Sequence, residues 1–402
     1  MLFCKYSFAV NLQEAVEFAR ANNNNIKLYN HRLEASKTSK WEAAAEFLPD
    51  VRANLSHGQR NSFFEGQTYD RSTKQTTQEI KLEQPIFDGL HSVMKYREAG
   101  YKIKSSTQEL QAKTQEVSFL AIKAYCDLFR YQKIVKIYQN NLEISKRFLK
   151  LANRRKSVKI IDNSELINFN YEQSNIENQF LDATNKLNRA NFEYENIIGK
   201  LDIDLFEPQI RIEKFKEEKI LEAVLSNNSE IKASRYNYLA SKAAHHAEKS
   251  NFSPKVSLTA SASKTERVVY LNNQDLNSRS VMLNLSIPIF QKGVEYASLS
   301  KMRSQREVAA QEYEIVKKDI TKEVKQALQE YEFSIKTHEI NNKIFLMAKE
   351  NIKIFNKRSK IDDPIEIAKI NIASNEKEIA YINAKMDLVI AYYKIKFLLG
   401  EI

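Results

Sequence analysis

Glycine and proline are scarce in this chain, with only 7 and 6 among 402 residues. Both interrupt regular structure, glycine through its backbone freedom and proline through its fixed φ and missing N–H. Lys, Glu, Asn, Ile, Leu and Ala dominate instead. This composition excludes a loop-rich fold and predicts long helices.

Cysteine is nearly absent: Cys4 is close to the N-terminus and Cys126 lies inside a helical pattern. Two such cysteines exclude a disulfide framework, and we interpret Cys126 as a small helix-packing residue. Long apolar runs are missing too. No stretch of about 18 apolar residues is present, which excludes a transmembrane helix.

Signs of enzymatic chemistry are also missing. The 6 histidines are scattered. Adjacent His245 and His246 would point to different sides of a helix, which is poor geometry for metal ligands. There is no glycine-rich phosphate loop and no nucleophile motif. We therefore expect no catalysis, no cofactor and no metal.

The net charge is +11 and the isoelectric point is near 9.2. Such a balance can indicate nucleic acid or anionic lipid as a partner. Here Lys and Glu intersperse along helical segments, which favours solvated helix faces, with the excess available to tune a pore or meet an acidic partner. A concentrated basic face with stacking aromatics is not visible, so we expect no nucleic-acid partner.

Residues 1–10 include Ser7-Phe8-Ala9, small residues at the spacing that a signal peptidase reads. Two interpretations stay open. The segment is either a signal-peptide remnant whose start lies upstream of Met1, or an ordinary frayed terminus. The genomic sequence upstream of Met1 would decide between them.

Hydrophobic periodicity divides the chain into helices of period 3.6 and strands of period 2. In the first half it predicts short helices at 11–22 and 26–47, strands at 50–58 and 78–88 around a loop at 58–75, long helices at 90–155 and 164–198, and a linker at 200–216. In the second half it predicts short helices at 218–228 and 229–251, strands at 254–264 and 280–290 around a loop at 264–279, and long helices at 294–358 and 364–399.

The second half repeats the order of the first. Matched landmarks are Phe47 and Phe252, Pro49 and Pro254, Pro85 and Pro288, and Gly199 and Gly400. Their separation drifts only from 205 to 203 to 201 residues. Features of different kinds in one order indicate a tandem duplication. The repeats are predicted at 11–205 and 217–402, joined by the linker at 200–216.

The last predicted helix carries two apolar stripes, one through Ala384, Leu388 and Ile395, the other through Ile379, Met386 and Val389. A helix with one partner needs one stripe. Two stripes predict a neighbour on each side, as in the wall of a helical cylinder.

The four predicted strands are apolar on one face and carry small polar residues on the other. A length of about ten residues suits a tilted strand in a bilayer, and the polar face suits a watery interior. We expect Leu283, Leu285 and Ile287 to face lipid. The expected pore-facing residues are Ser257, Thr259, Ser261, Asn284 and Ser286.

Aromatic residues and prolines mark the strand ends nearest the long helices. Phe47, Phe87, Phe252 and Phe290 fall where an aromatic girdle would meet a membrane interface. Pro85 and Pro288 are expected to end sheet pairing where a strand becomes a helix. Four strands cannot close a barrel, so the chain must oligomerise: a dimer would give eight strands and a trimer twelve.

This duplicated order resembles the TolC family of outer-membrane efflux and secretion channels. The resemblance covers residues 11–402 and rests on Asn11-Leu12-Gln13-Glu14-Ala15, Leu48-Pro49, Gln84-Pro85-Ile86-Phe87-Asp88-Gly89, Ala124-Tyr125-Cys126-Asp127-Leu128 and the turns at Gly199 and Gly400. It implies a mainly α fold with membrane β: a homotrimeric twelve-stranded β-barrel in the outer membrane, continued by a twelve-helix periplasmic tunnel. It also implies docking to a periplasmic adaptor (membrane fusion) protein and an inner-membrane pump or ABC exporter. The channel would be the exit duct of a tripartite efflux or type I secretion system, passing small molecules or polypeptides to the exterior.

The resemblance further implies a gate of acidic residues at the helix-turn tips. The first family acid falls on Glu366, with Glu165 as its counterpart in the first repeat. The second falls on Lys369, which departs from the family pattern. Asp362 and Asp363 lie at the same tip and are further candidates. A plain surface contact between Glu366 and Lys369, at i and i+3, stays open as the alternative.

The tip of the first repeat is basic, with Arg154, Arg155, Lys156 and Lys159. We expect it to meet an acidic surface of the adaptor or pump, the alternative being a solvated turn. Family tips usually carry a glycine that both tips lack here. For the chain as a whole, the alternative is a soluble coiled-coil scaffold with a small β-domain, which explains the long helices but not the duplicated amphipathic strands.

Overall fold

The computed structural model describes residues 10–62, 71–199, 205–269, 272–358 and 364–402. In chain order these residues form α1 (Leu12–Asn22), α2 (Asn24–Ala45), β1 (Asp50–Ser62), β2 (Arg71–Phe87), α3 (His91–Ser157), α4 (Asn163–Ile197), α5 (Glu217–Asn227), α6 (Ser229–Glu248), β3 (Lys255–Val269), β4 (Asn272–Ser286), α7 (Val294–Arg358) and α8 (Pro364–Leu399). A short 3₁₀ turn, Lys249–Phe252, precedes β3. The order of the first six elements returns in the last six, as a tandem duplication requires.

The chain divides into two compact units. One comprises residues 1–29, 109–231 and 317–402, and the other residues 30–108 and 232–316. The second unit contains the whole sheet. The first contains α1, α4, α5, α8 and the C-terminal parts of α3 and α7.

The short helices begin and end on asparagine. Asn11 and Glu14 form a capping box at the start of α1, with Asn11 Oδ1 2.8 Å from the Glu14 nitrogen. Asn23 ends α1, and its side chain accepts a hydrogen bond from the N–H of Asn25 in α2. Asn228 repeats this arrangement between α5 and α6. One asparagine thus serves two helix ends in each repeat.

The strands form one antiparallel sheet in the order β1-β2-β3-β4. They are longer than periodicity predicts, since β1 reaches Ser62, β3 reaches Val269, and β2 and β4 begin at Arg71 and Asn272. The predicted loops at 58–75 and 264–279 are therefore wrong over much of their length. Polar strand ends pair through the backbone without apolar alternation, so the pattern does not reveal them.

Pro85 does not end sheet pairing as predicted, whereas Pro288 follows the end of pairing in β4. Pro85 lies inside β2 at a bulge, and pairing with β3 resumes at Phe87. β4 ends at Ser286, so Pro288 and Phe290 lie in the connection to α7. A bulge disrupts the ladder locally, so proline is tolerated there without breaking a regular pair.

The core of the first unit is built around the motif at residues 124–128. Tyr125 and Cys126 are fully buried in a cluster with Ala15 of α1 and Val389 of α8. Burial raises the pKa of the Cys126 thiol, which keeps it a neutral packing residue. One turn further along α3, Arg130 forms ion pairs with Asp127 of the same helix, at 2.7 Å, and with Asp387 of α8, at 2.9 Å.

Both predicted stripes of α8 are buried. Leu388 and Ile395 of one stripe and Met386 and Val389 of the other are each at most 3% exposed. Two covered flanks on one helix confirm the prediction of a neighbour on each side.

In the described ranges, no helix combines the length and the apolar character that a membrane crossing requires.

Candidate functional site

The sheet has one apolar face, and the strand register defines it row by row. Val51 of β1 lies opposite Leu82 of β2, Leu82 opposite Ala260 of β3, and Ala260 opposite Val281 of β4. Residues directly opposite each other point to the same face. Val51 and Val281 are 62% and 73% exposed, and Leu283 on this face is 70% exposed. Toward the long helices this face is apolar and open to its surroundings, which suits lipid better than water, and toward the hairpin of β3 and β4 it carries Arg279, Lys264 and Glu266.

The other face carries the residues predicted to line a pore. Asn284 lies opposite Ser257, and its Nδ2 donates a hydrogen bond to Thr259 Oγ1 at 2.9 Å. The register places Ser261 and Ser286 on the same face. The sheet therefore brings all five predicted residues together.

Sequence analysis missed the charged part of this polar face. Asp50 and Arg52 of β1 lie on it, opposite Glu83 and Lys81 of β2, and Glu79 follows in the next row. In β2 these residues alternate with the apolar ones, in the order Ile80-Lys81-Leu82-Glu83. That alternation was a sufficient signal for them.

The sheet has two edges, β1 and β4. Among the described residues each edge strand pairs on one side only. The outward N–H and C=O groups of each edge strand are unpaired within the sheet, and lipid offers no hydrogen-bonding partner for them. As a membrane structure this sheet is incomplete until both edges are paired.

Each connection from strand to long helix contains two successive residues with left-handed backbone. They are Gly89 (φ 72°) and Leu90 (φ 69°) in the first repeat, and Lys292 (φ 60°) and Gly293 (φ 78°) in the second. Aligned on the shared Pro-Ile-Phe sequence, these are the same two positions. Both repeats thus make this turn with the same backbone geometry, and in each repeat glycine occupies one of the two left-handed positions.

The four predicted girdle residues, Phe47, Phe87, Phe252 and Phe290, are all exposed. Phe47 makes an edge-to-face contact with Tyr96 at 6.5 Å between ring centroids. Phe252 makes a similar contact with Tyr296 at 5.1 Å. Aromatic clusters of this kind suit the boundary between lipid and water.

The acidic gate candidates lie at helix starts. Glu366 is exposed in the first turn of α8, and Glu165 is exposed in the first turn of α4. Asp362 and Asp363 lie outside the described residues. Acids in a first turn are favoured by the helix dipole, so their positions alone do not indicate a gate.

Lys369, at the second family position, contacts the neighbouring helix α4. Its Nζ lies 3.2 Å from Glu172 Oε1 and 5.3 Å from the ring centroid of Phe169. Lys369 therefore links α8 to α4, about one helical turn after Glu366 in the sequence. The first-repeat and second-repeat helices meet at this point.

The basic tip ends α3 in a Schellman turn. The N–H of Ile160 donates to the carbonyl of Arg155, and the N–H of Lys159 to that of Lys156, both at 2.9 Å. Lys159 takes the left-handed position, with φ 60°, where glycine is usual. Arg154, Lys156 and Lys159 are exposed. The turn forms without glycine and presents three cations to solvent.

No group of three or more His, Cys, Asp or Glu in the described part of the chain could hold a metal ion. The described residues form one amphipathic open sheet, to which each repeat contributes two strands, and long packed helices, of which each repeat contributes two. These features define the class of outer-membrane channel subunits.

Comparison with known proteins agrees with this class. The family model described as outer membrane efflux protein matches residues 15–200 and again residues 220–401. The chain belongs to the outer membrane efflux protein family. It is an efflux channel of the outer membrane, and the family is one of transport proteins and not of enzymes.

A curated relative is the outer membrane efflux protein BepC of Brucella suis, 21% identical over 321 residues, or 79% of this chain and 70% of BepC. Among solved structures, a membrane protein from Pseudomonas aeruginosa has a TM-score of 0.83 at 17% identity, covering 98% of this chain and 94% of that one. The open-state MtrE outer membrane channel of Neisseria gonorrhoeae has a TM-score of 0.78 at 15% identity, covering 97% and 88%. These structures show the same channel fold, including the tandem repeat.

Proposed function

We propose that the chain assembles as a homotrimer. Its twelve strands close a β-barrel in the outer membrane, and its helices continue as a twelve-helix periplasmic tunnel. One observation carries this: a four-stranded sheet with an exposed apolar face and two unpaired edges. Closure by identical copies removes both edges at once, and the resemblance to the TolC family favours three copies.

The assembly state can be measured directly. The channel is extracted from outer-membrane vesicles in detergent, weighed by native mass spectrometry and imaged by electron microscopy. Three chains of 46.7 kDa predict a particle of about 140 kDa with threefold symmetry. An SDS-resistant band that heat converts to monomer should accompany it. A twofold particle, or a monomer that stays in solution without detergent, would refute the trimer.

The channel is the exit duct of a tripartite efflux or type I secretion system. It receives small molecules or polypeptides through a periplasmic adaptor protein from an inner-membrane pump or ABC exporter. The two repeats, 11–205 and 217–402, with the linker at 200–216, supply equivalent helix pairs to the tunnel. The repeated match of the family model supports this division.

The basic turn of α3 is the docking surface for an acidic patch on the adaptor. Its exposed Arg154 and Lys156 and the closed backbone turn beneath them support this role. The double variant Arg154→Glu/Lys156→Glu should lose site-specific cross-linking to the adaptor of the same host. Reversal of the exposed Lys146 on α3 is the matched control. Equal loss in both variants would indicate a general charge effect.

The acidic tip of α8 is the periplasmic gate. Glu366, with Glu165 in the first repeat, supplies the carboxylates, and Lys369 holds α8 to α4 through Glu172. Asp362 and Asp363, which lie outside the described residues, are further candidates for this gate.

A further inference from the structure

Charge on the polar face of the sheet is confined to the first repeat over three successive rows. The charged rows pair Asp50 with Glu83, Arg52 with Lys81, and Asn54 with Glu79. In the same rows the second repeat contributes only uncharged residues: Thr259, Ser261, Ser263, Met282, Ser280 and Ser278. Lys255, on this face of β3, lies at the start of its strand, two rows beyond Thr259.

The sign of the charge changes between the first two rows. We call Asp50 and Glu83 the acidic tier, and Arg52 and Lys81 the basic tier. The acidic tier lies at the helix-proximal end of the sheet, and the basic tier is the next row toward the hairpin. Along a strand the two tiers are about 7 Å apart.

Ion pairs within each strand join the tiers. Arg52 Nη2 lies 2.5 Å from Asp50 Oδ2, and Lys81 Nζ lies 3.1 Å from Glu83 Oε2. Both pairs have their negative end toward the long helices. The two dipoles of a chain therefore point the same way and add, where an alternating arrangement would cancel.

The pairs remain open to a passing solute. The four side chains are between 42% and 71% exposed. Glu79 in the following row accepts a hydrogen bond from Asn54. Three carboxylates thus face two bases, so the three rows carry one net negative charge per chain.

We propose that the two tiers form a bipolar charge filter inside the barrel, with a ring of carboxylates on the tunnel side and a ring of bases next to it toward the exterior. The inference rests on the proposed function, because only a closed barrel makes this face a lumen. Rotational symmetry preserves the direction of every dipole, so a trimer holds six of each charge. Within the two tiers, cations and anions each meet one attractive and one repulsive level, so the current depends on the direction of the voltage.

The test uses purified wild-type channel in planar lipid bilayers under a potassium chloride gradient. The double variant Arg52→Gln/Lys81→Gln removes the basic tier, and Asp50→Asn/Glu83→Gln removes the acidic tier. The control is Lys264→Gln/Glu266→Gln. That pair lies two positions apart on β3, at 2.5 Å, on the opposite face of the same sheet.

Loss of the basic tier should raise the ratio of potassium to chloride permeability about twofold or more, and loss of the acidic tier should lower it similarly. The variant that combines all four tier substitutions should lose the difference in current between positive and negative voltage. The control should match wild type. Unchanged permeability in both tier variants, or a shift in the control alone, would overturn the filter. Failure of the wild-type protein to form trimers or conduct would instead count against the proposed function.

Discussion

Tyr125 and Tyr331 lie 206 positions apart and perform the same task in the two repeats. The Tyr125 hydroxyl lies 2.8 Å from the carbonyl oxygen of Val10 and 2.7 Å from that of Phe206. The Tyr331 hydroxyl lies 3.1 Å from the carbonyl oxygen of Glu213. The helices α3 and α7 thus each use one phenol to hold a main-chain segment that precedes a short helix. Burial raises the pKa of Tyr125, so its hydroxyl stays a proton donor.

Removing that hydroxyl should destabilise the channel. Tyr125→Phe removes the phenol donor from the Phe206 carbonyl oxygen and from that of Val10, which keeps the N–H of Phe206 at 3.3 Å. The loss should cost about 1–2 kcal/mol. The temperature at which the SDS-resistant oligomer dissociates reports the change. Tyr171→Phe is the control, because Tyr171 is 73% exposed. Equal temperatures for the two variants would contradict the role given to Tyr125.

The two junction glycines should differ in their tolerance of alanine. A Cβ on Gly89 would lie 2.5 Å from Ser253 Cβ, whereas a Cβ on Gly293 would meet nothing within 4 Å. Both have left-handed backbone, so Gly293→Ala should cost about 1–2 kcal/mol and Gly89→Ala at least about 1 kcal/mol more. Heat dissociation of the two oligomers gives the ranking. The reverse order would mean that Ser253 moves aside at no cost.

An added charge should prevent membrane assembly on one face of β4 and be tolerated on the other. Leu283→Arg places a guanidinium on the apolar face, which costs about 2–4 kcal/mol at the bilayer midplane and less toward the interface. Asn284→Arg, one residue away, places it on the polar face. Outer-membrane fractionation and heat modifiability should show loss of the first variant and retention of the second. Retention of both would show that β4 does not contact lipid.

Neutralising the acidic tip should change ion preference. Glu366→Gln removes one carboxylate per chain from the proposed gate, so cation preference in single-channel recordings should fall. Glu376→Gln, an exposed acid farther along α8, is the control. Unchanged selectivity and conductance in Glu366→Gln would remove this residue from the gate.

The local pattern of apolar and polar residues predicts much of this fold. The alternation at Ile80-Lys81-Leu82-Glu83 predicts a two-faced strand, and the uninterrupted run from Leu90 predicts a helix that the structure begins at His91. The bulge at Pro85 was not predictable in this way. It depends on β3 lying beside β2, a pairing between residues far apart in the chain.

Site residues were less accessible to sequence reasoning. The polar face around Ser257 and Asn284 follows from period 2 alone, as does the charged face that was missed at Arg52 and Lys81. A gate at Glu366 depends on where other copies of the chain place the same residue. No periodicity within one chain carries that information.

The left-handed pairs at Gly89-Leu90 and Lys292-Gly293 bear on how such a molecule could be rebuilt. The glycine stands first in one pair and second in the other, and both pairs close the same turn. A chain made by joining two copies of a single half would contain only one of these solutions, used twice. Each half already contains a left-handed pair that closes the turn. The junctions are therefore compatible with an ancestor built from two identical halves, and with a redesign of that kind.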